Sequence, residues 1–191
     1  MTQYHYKILT TIGDADPDPF SESSTQLFPL GTELKYADRI YKYSGIGSVA
    51  VTAGKLLQTK VAVGHHRDKA VQTAASAGDT SVIVTLGSTA ATANQYAEGY
   101  LHVNDVAGQG QLLKIKSHSA ADASANLTLT LDDKLKTALS TSTKVDLISN
   151  IYNDLVVSTG GVGTTTNNSK IETGPVVGVT TITSAHLDKD I

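Results

Sequence analysis

Residues Thr80–Asn150 read TSVIVTLGSTAATANQYAEGYLHVNDVAGQGQLLKIKSHSAADASANLTLTLDDKLKTALSTSTKVDLISN. This stretch decides the fold class. Val82, Val84 and Leu86 alternate with Ser81, Ile83 and Thr85. The two-residue period is that of a strand with one buried and one wetted face. Leu101 and Val103 repeat it against Tyr100, His102 and Asn104. Leu113 and Ile115 repeat it against Lys114, Lys116 and His118. Leu127, Leu129 and Leu131 alternate with Asn126, Thr128 and Thr130, and Val145 and Leu147 flank Asp146. Segments of this kind suit an antiparallel sheet. NDVAGQG, Asn104–Gly110, carries turn chemistry with two glycines, so Gly99–Asn104 and Gln111–His118 are expected to form a hairpin with a long loop. Asp132–Ser140 (DDKLKTALS) breaks the alternation. An aspartate cap with Leu135 and Leu139 on one face predicts a short helix there. QYAE, Gln95–Glu98, predicts a helical turn.

Outward from this core the signals thin. Residues 1–35 read as an extended, polar N-terminal arm broken by Pro17, Pro19 and Pro29, able to order on a partner. Asp14, Asp16 and Asp18 have the spacing of a calcium loop. Pro19 stands where such a loop needs glycine, however, and Thr25 where it needs glutamate. Residues 36–75 read as a β segment packing on the core. In YADRIYKYS, Tyr36–Ser44, Ile40 is opposed to Arg39 and Tyr41. GIGSVA, Gly45–Ala50, has dinucleotide-loop glycines without the helix and βαβ unit that give them meaning, so a turn is expected. LLQTKVAV, Leu56–Val63, predicts a strand. His65 and His66 follow it and are expected as exposed turn residues, since adjacent histidines seldom chelate one metal without further ligands. Ala70–Gly78 reads as a linker or short helix. Residues 76–158 read as the central antiparallel domain, with one more strand expected in Ile151–Ser158. Residues 159–191 hold a Gly/Thr-rich flexible loop, a final strand at Val176–Ile182 and a polar tail. The expected class is all-β, a barrel or sandwich, with at most one or two short helices.

Composition narrows the function. The chain has 191 residues, enough for one ordinary domain or two small ones. Aromatics are 5% and tryptophan is absent, which disfavours a thick aromatic core. A net charge of -3 argues against broad nucleic-acid binding, which needs a basic stripe. Without cysteine there is neither a disulfide framework nor a thiolate metal site. No signal peptide and no membrane span are expected. No GxSxG, HExxH or CxxC occurs. The most pointed cluster is His102, Asp105 and His118. The two histidines are expected across the hairpin on its solvated face, with Lys114 and Lys116 beside them. Those lysines would serve a partner contact or keep an edge soluble. No catalytic residue, metal or cofactor is expected.

Five strings carry a resemblance. They are PLGTELKYADRIYKYS (Pro29–Ser44), AGKLLQ (Ala53–Gln58), ATANQYAEGYLHVNDVAGQGQLLKIKSHSAA (Ala91–Ala121), DLISNIYND (Asp146–Asp154) and GPVVGV (Gly174–Val179). In this order they resemble the small structural proteins of tailed bacteriophages that sit on capsids as cement or decoration proteins. The match spans most of Pro29–Val179, and its motifs mark turns and strands rather than chemistry. The chain departs from longer relatives at TSAHLDKDI, where it ends earlier, so no added C-terminal contact of theirs is carried over. The resemblance implies a non-enzymatic virion protein, made in the host cytoplasm. It would bind the outer surface of the major capsid protein lattice as a homo-oligomer. Many weak contacts on a symmetric lattice would supply its affinity. Tyr4, Pro29, Tyr41 and Tyr43 are the expected partner contacts, tyrosine being enriched at interfaces. The alternative is a glycan- or receptor-binding β-module of a tail or fibre, for which eight tyrosines and no tryptophan are a thin stacking supply.

Overall fold

The computed structural model describes residues 7–8, 22–36, 39–51 and 55–158. They contain eleven strands: β1 (Lys7–Ile8), β2 (Glu33–Tyr36), β3 (Arg39–Lys42), β4 (Leu57–Gln58), β5 (Lys69–Ala70), β6 (Ser81–Thr85), β7 (Tyr100–Asp105), β8 (Leu112–His118), β9 (Asn126–Leu131), β10 (Lys144–Ile148) and β11 (Val156–Val157). The one helical element among them is a 3-10 turn at Gly64–His66. The protein is all-β, as the alternation predicts. The chain divides into two compact units, Val61–Asn150 and a second unit built from the residues before and after it.

Val61–Asn150 is an antiparallel sheet in the order β5-β10-β7-β8-β9-β6. Its two ends meet. Val71 bridges Val84, Gln72 N–H donates to Ile83 O at 2.8 Å, and Gly87 N–H donates to His65 O at 3.0 Å. The sheet thereby curls into a nearly closed barrel, which removes the exposed edges of an open sheet. The residues of the alternating rows point where their period says. Val82, Val84, Leu101, Val103, Ile115, Leu127, Leu129 and Val145 are at most 1% exposed and fill the interior. Each buried Leu, Ile or Val side chain contributes about 1.5–3 kcal/mol relative to exposure. The expected hairpin is β7–β8. Its loop turns at Gly108 and Gly110, whose φ angles of +79° and +88° lie in the left-handed region. A Cβ at Gly108 would stand 2.6 Å from Leu139 Cδ2.

Asp132–Ser140 is not a helix. Leu135 and Leu139 are buried as the pattern asks, but their backbone groups pair with a neighbouring segment. Leu139 exchanges hydrogen bonds with Ala75 at 2.8 and 3.0 Å. Leu135 N–H donates to Asp79 O, and Gly78 N–H to Leu135 O. Gln111 Oε1 accepts from Lys136 N–H and Thr137 N–H at 2.8 and 3.1 Å. These tertiary bonds satisfy the groups that a helical ladder would have used, and packing overrides a weak local preference. The same pairing makes Ala70–Gly78 part of the barrel rather than a linker or helix. Gln95–Glu98 is a string of turns with Asn94 and Glu98 at positive φ, not a helical turn.

In the other unit β2 pairs with β1 and β3, and β4 pairs with β11. Strand β2 takes in Glu33–Lys35, the last residues of the stretch read as arm. Within β3 the buried residue is Tyr41, while Ile40 is half-exposed. Gly45–Ala50 carries no helix. Its Ile46 forms a parallel bridge with Leu155. The strands expected at Leu56–Val63 and Ile151–Ser158 shrink to β4 and β11. The triple-aspartate loop, the Gly/Thr-rich loop and the final strand at Val176–Ile182 lie outside the described residues.

Two outcomes are expected. Val61–Asn150 is one continuous stretch with its own core, so the excised fragment should give a cooperative thermal transition with a strand-dominated circular dichroism spectrum. Gly99→Ala should destabilise the protein by about 1–3 kcal/mol or more, read as a lowered urea midpoint, because the added Cβ would stand 2.2 Å from Ile148 O.

Candidate functional site

The outer face of three adjacent strands, β10, β7 and β8, is the most chemically mixed surface of the barrel. Register places Tyr100 between Ile148 and Lys114, and His102 between Asp146 and Leu112. Even-numbered residues on these strands, up to Lys116 in β8, point outward because their odd-numbered neighbours fill the core. Tyr100, Ile148 and Leu112 are 40%, 40% and 55% exposed. Three large apolar side chains thus surround one histidine, with Lys114 on the same face.

Asp146 ties this face together. Its Oδ1 accepts from Asp68 N–H at 2.8 Å and from Asn104 Nδ2 at 3.0 Å. Its Oδ2 stands 3.3 Å from His102 Nδ1. Burial pushes the carboxyl pKa up, but the Asp68 N–H, His102 and Asn104 outweigh it and hold the group below its ordinary value of 3.8. The contact with Asp146 orients the His102 ring. No group of three or more His, Asp or Glu is placed to hold a metal among the described residues.

The sequence cluster of His102, Asp105 and His118 is not brought together. Asp105 accepts a hydrogen bond from the neighbouring Val106 N–H at 2.8 Å. His118 does not face His102. A register shift between Ile115 and Ser117 inserts one extra residue against β9, a β-bulge. It reverses the inside–outside parity, so His118 is buried although it lies an odd number of positions from Ile115. There Nε2 accepts from Tyr96 N–H at 2.9 Å, and Nδ1 donates to Ser119 O at 2.8 Å. His66, expected as an exposed turn residue, is fully buried. Its Nε2 donates to Thr89 O at 2.8 Å, and its Nδ1 accepts from the Tyr96 hydroxyl. His65 does stay exposed, beside Ser88 and Thr89. Tyr96 was missed as anything but part of a turn. Burial pushes its pKa up to about 12, against the lowering effect of Gln95, and keeps it a neutral donor.

The expected partner contacts fall in the other unit. Pro29 is exposed and closes a turn, its carbonyl accepting from Thr32 N–H and Thr32 Oγ1 at 3.1 and 2.6 Å. Tyr43 packs edge-on against Phe28, and its hydroxyl accepts from Leu27 N–H at 3.0 Å. Tyr41 is buried. Tyr4 lies outside the described residues. The sequence reading missed Tyr100, Leu112 and Ile148, although the outward register that exposes them was legible.

No family model, curated protein or solved structure matches the chain. No helix among the described residues is long and apolar enough to cross a membrane.

Asp146→Ala should cost about 1–3 kcal/mol at neutral pH, the range for groups left unsatisfied when a charged partner is removed. The native carboxyl has the lower pKa, so its contribution is present above 3.8 and lost as pH falls below it. Urea unfolding of wild type and variant should therefore differ at neutral pH and converge in acid.

Proposed function

We propose that this chain is a bacteriophage capsid cement or decoration protein. It binds the outer surface of an assembled major capsid protein lattice, in several copies, and stabilises the DNA-filled head without catalysis. The observation that carries the reading is the β10–β7–β8 outer face. Half-exposed Tyr100, Leu112 and Ile148 on a closed barrel offer apolar contact area on a rigid support. The resemblance of five ordered strings to capsid decoration proteins supports it from the sequence side. A protein of this kind stabilises by mass action, because it binds the lattice and not the dispersed subunits. Each contact can be weak when symmetry repeats it.

The test uses particles stripped of this protein. They should stay assembled and lose DNA at a lower temperature, and adding the purified protein back should restore the release temperature. The triple variant Tyr100→Ala, Leu112→Ala, Ile148→Ala should keep its own melting temperature and rescue poorly. Truncating interface anchors costs about 1 kcal/mol or more each. If stripped and restored particles release DNA at the same temperature, the cement reading fails. Binding to a glycan array would then favour the tail or fibre module.

A further inference from the structure

β6 and β7 are sequential but not adjacent in the sheet, so the chain between them must cross one end of the barrel. That crossover is fastened at both ends. Gly87 N–H bonds His65 O, and Ser124 N–H bonds Gly87 O at 2.7 Å. At the far end Glu98 N–H bonds Ile115 O at 2.8 Å, and Gly99 lies too close to the Ile148 and Asn150 backbone for any side chain. Between these points the hold is narrower. Ala91 exchanges two bonds with Ala121. Ser88 and Thr89 bond His65 and His66, and residues 94–96 are held by His118 together with the His66 bond to the Tyr96 hydroxyl. The His118 carbonyl accepts from Asn94 N–H, its N–H donates to Asn94 Oδ1, and its Nε2 accepts from Tyr96 N–H.

The protonation state of His118 is dictated by these partners. Ser119 O can only accept, so Nδ1 carries the proton, and Nε2 must be bare to accept from a backbone N–H. A second proton, on Nε2, would face Tyr96 N–H at 2.9 Å, donor against donor. His66 faces the cluster from the 3-10 turn, Tyr96 and Gln95 from the crossover, and Leu129 lies opposite on β9. His66 is likewise bonded to Tyr96, at the hydroxyl, so both histidines hold the same residue.

We propose that His118 is a proton-operated latch: neutral, it fastens residues 94–97 over the barrel end, and protonated, it releases them while the strand ladders and the Ala91–Ala121 bridge stay closed. Burial lowers the His118 pKa, the Ser119 carbonyl opposes this, and His66 adds to the lowering. The native pKa thus lies below the ordinary 6.5. The fastening is then fully present above 6.5 and weakens as pH falls below it. Release would uncover the apolar barrel end now sealed by Tyr96, which is 1% exposed.

Amide hydrogen exchange on the full chain, corrected for intrinsic rates and followed from about pH 7.5 to about pH 5, reads the latch directly. Protection at Asn94 and Tyr96 should fall by up to about tenfold per pH unit below the onset. The β6–β9 ladder should keep its protection, and His118→Gln should flatten the dependence. The His118 imidazole signals of the wild type supply a second readout if that variant folds poorly. Their titration should coincide with crossover opening. Constant protection at Asn94 and Tyr96, loss of ladder protection in parallel, or opening while His118 stays neutral would each overturn the latch.

Discussion

The closure of the sheet on itself is the constraint on which the rest depends. Six strands with one apolar face form an open sheet unless the first and last meet. Here β5 is two residues long, and the seam is made by Val71 with Val84, Gln72 with Ile83, and Gly87 with His65. Once it holds, every inward row from Val82 to Leu147 is shielded by its neighbours. The outward rows are left as a continuous surface without edges. The seam also determines which segments lie across the barrel ends, and so where the buried histidines sit.

Much of this was legible in the residues, and what was not has specific causes. The alternations in β6 to β10 were readable because side-chain period and burial coincide there. The β7–β8 hairpin followed from NDVAGQG, whose Gly108 and Gly110 take positive φ as that turn chemistry suggests. Parity failed at His118 because one bulged residue flips every position beyond it, and no local pattern marks where a bulge falls. The helix expected at Asp132–Ser140 failed because Leu135 and Leu139 find backbone partners in 75–79, far off in the chain. Tyr96 and His66 were illegible as a pair, being brought together only by the closed barrel. In the other unit, strands of two to four residues leave little period to read. Tyr41 and Ile40 exchanged the inward and outward roles that hydrophobicity alone would assign.

The inside and outside of the barrel divide the chemistry. Inside and at the barrel end, titratable groups are held neutral: Tyr96 is pushed to about 12, and His118 is fixed as one tautomer. Outside, the carboxylate of Asp146 stays charged because three donors surround it. That network links Asp146 on β10 to His102 and Asn104 on β7 and to Asp68, on the face that carries half-exposed Tyr100, Leu112 and Ile148. Such a face fits a protein whose proposed work is to be held, many times over, against a symmetric shell.

A density map of tailed-phage particles incubated with this chain, resolved well enough to place strands, tests that reading most directly. The account predicts barrel-shaped density on the outer shell, with the β10–β7–β8 face turned toward the major capsid protein and Tyr100, Leu112 and Ile148 within the contact. No such density on the shell, or a bound barrel with that face turned to solvent, would contradict it.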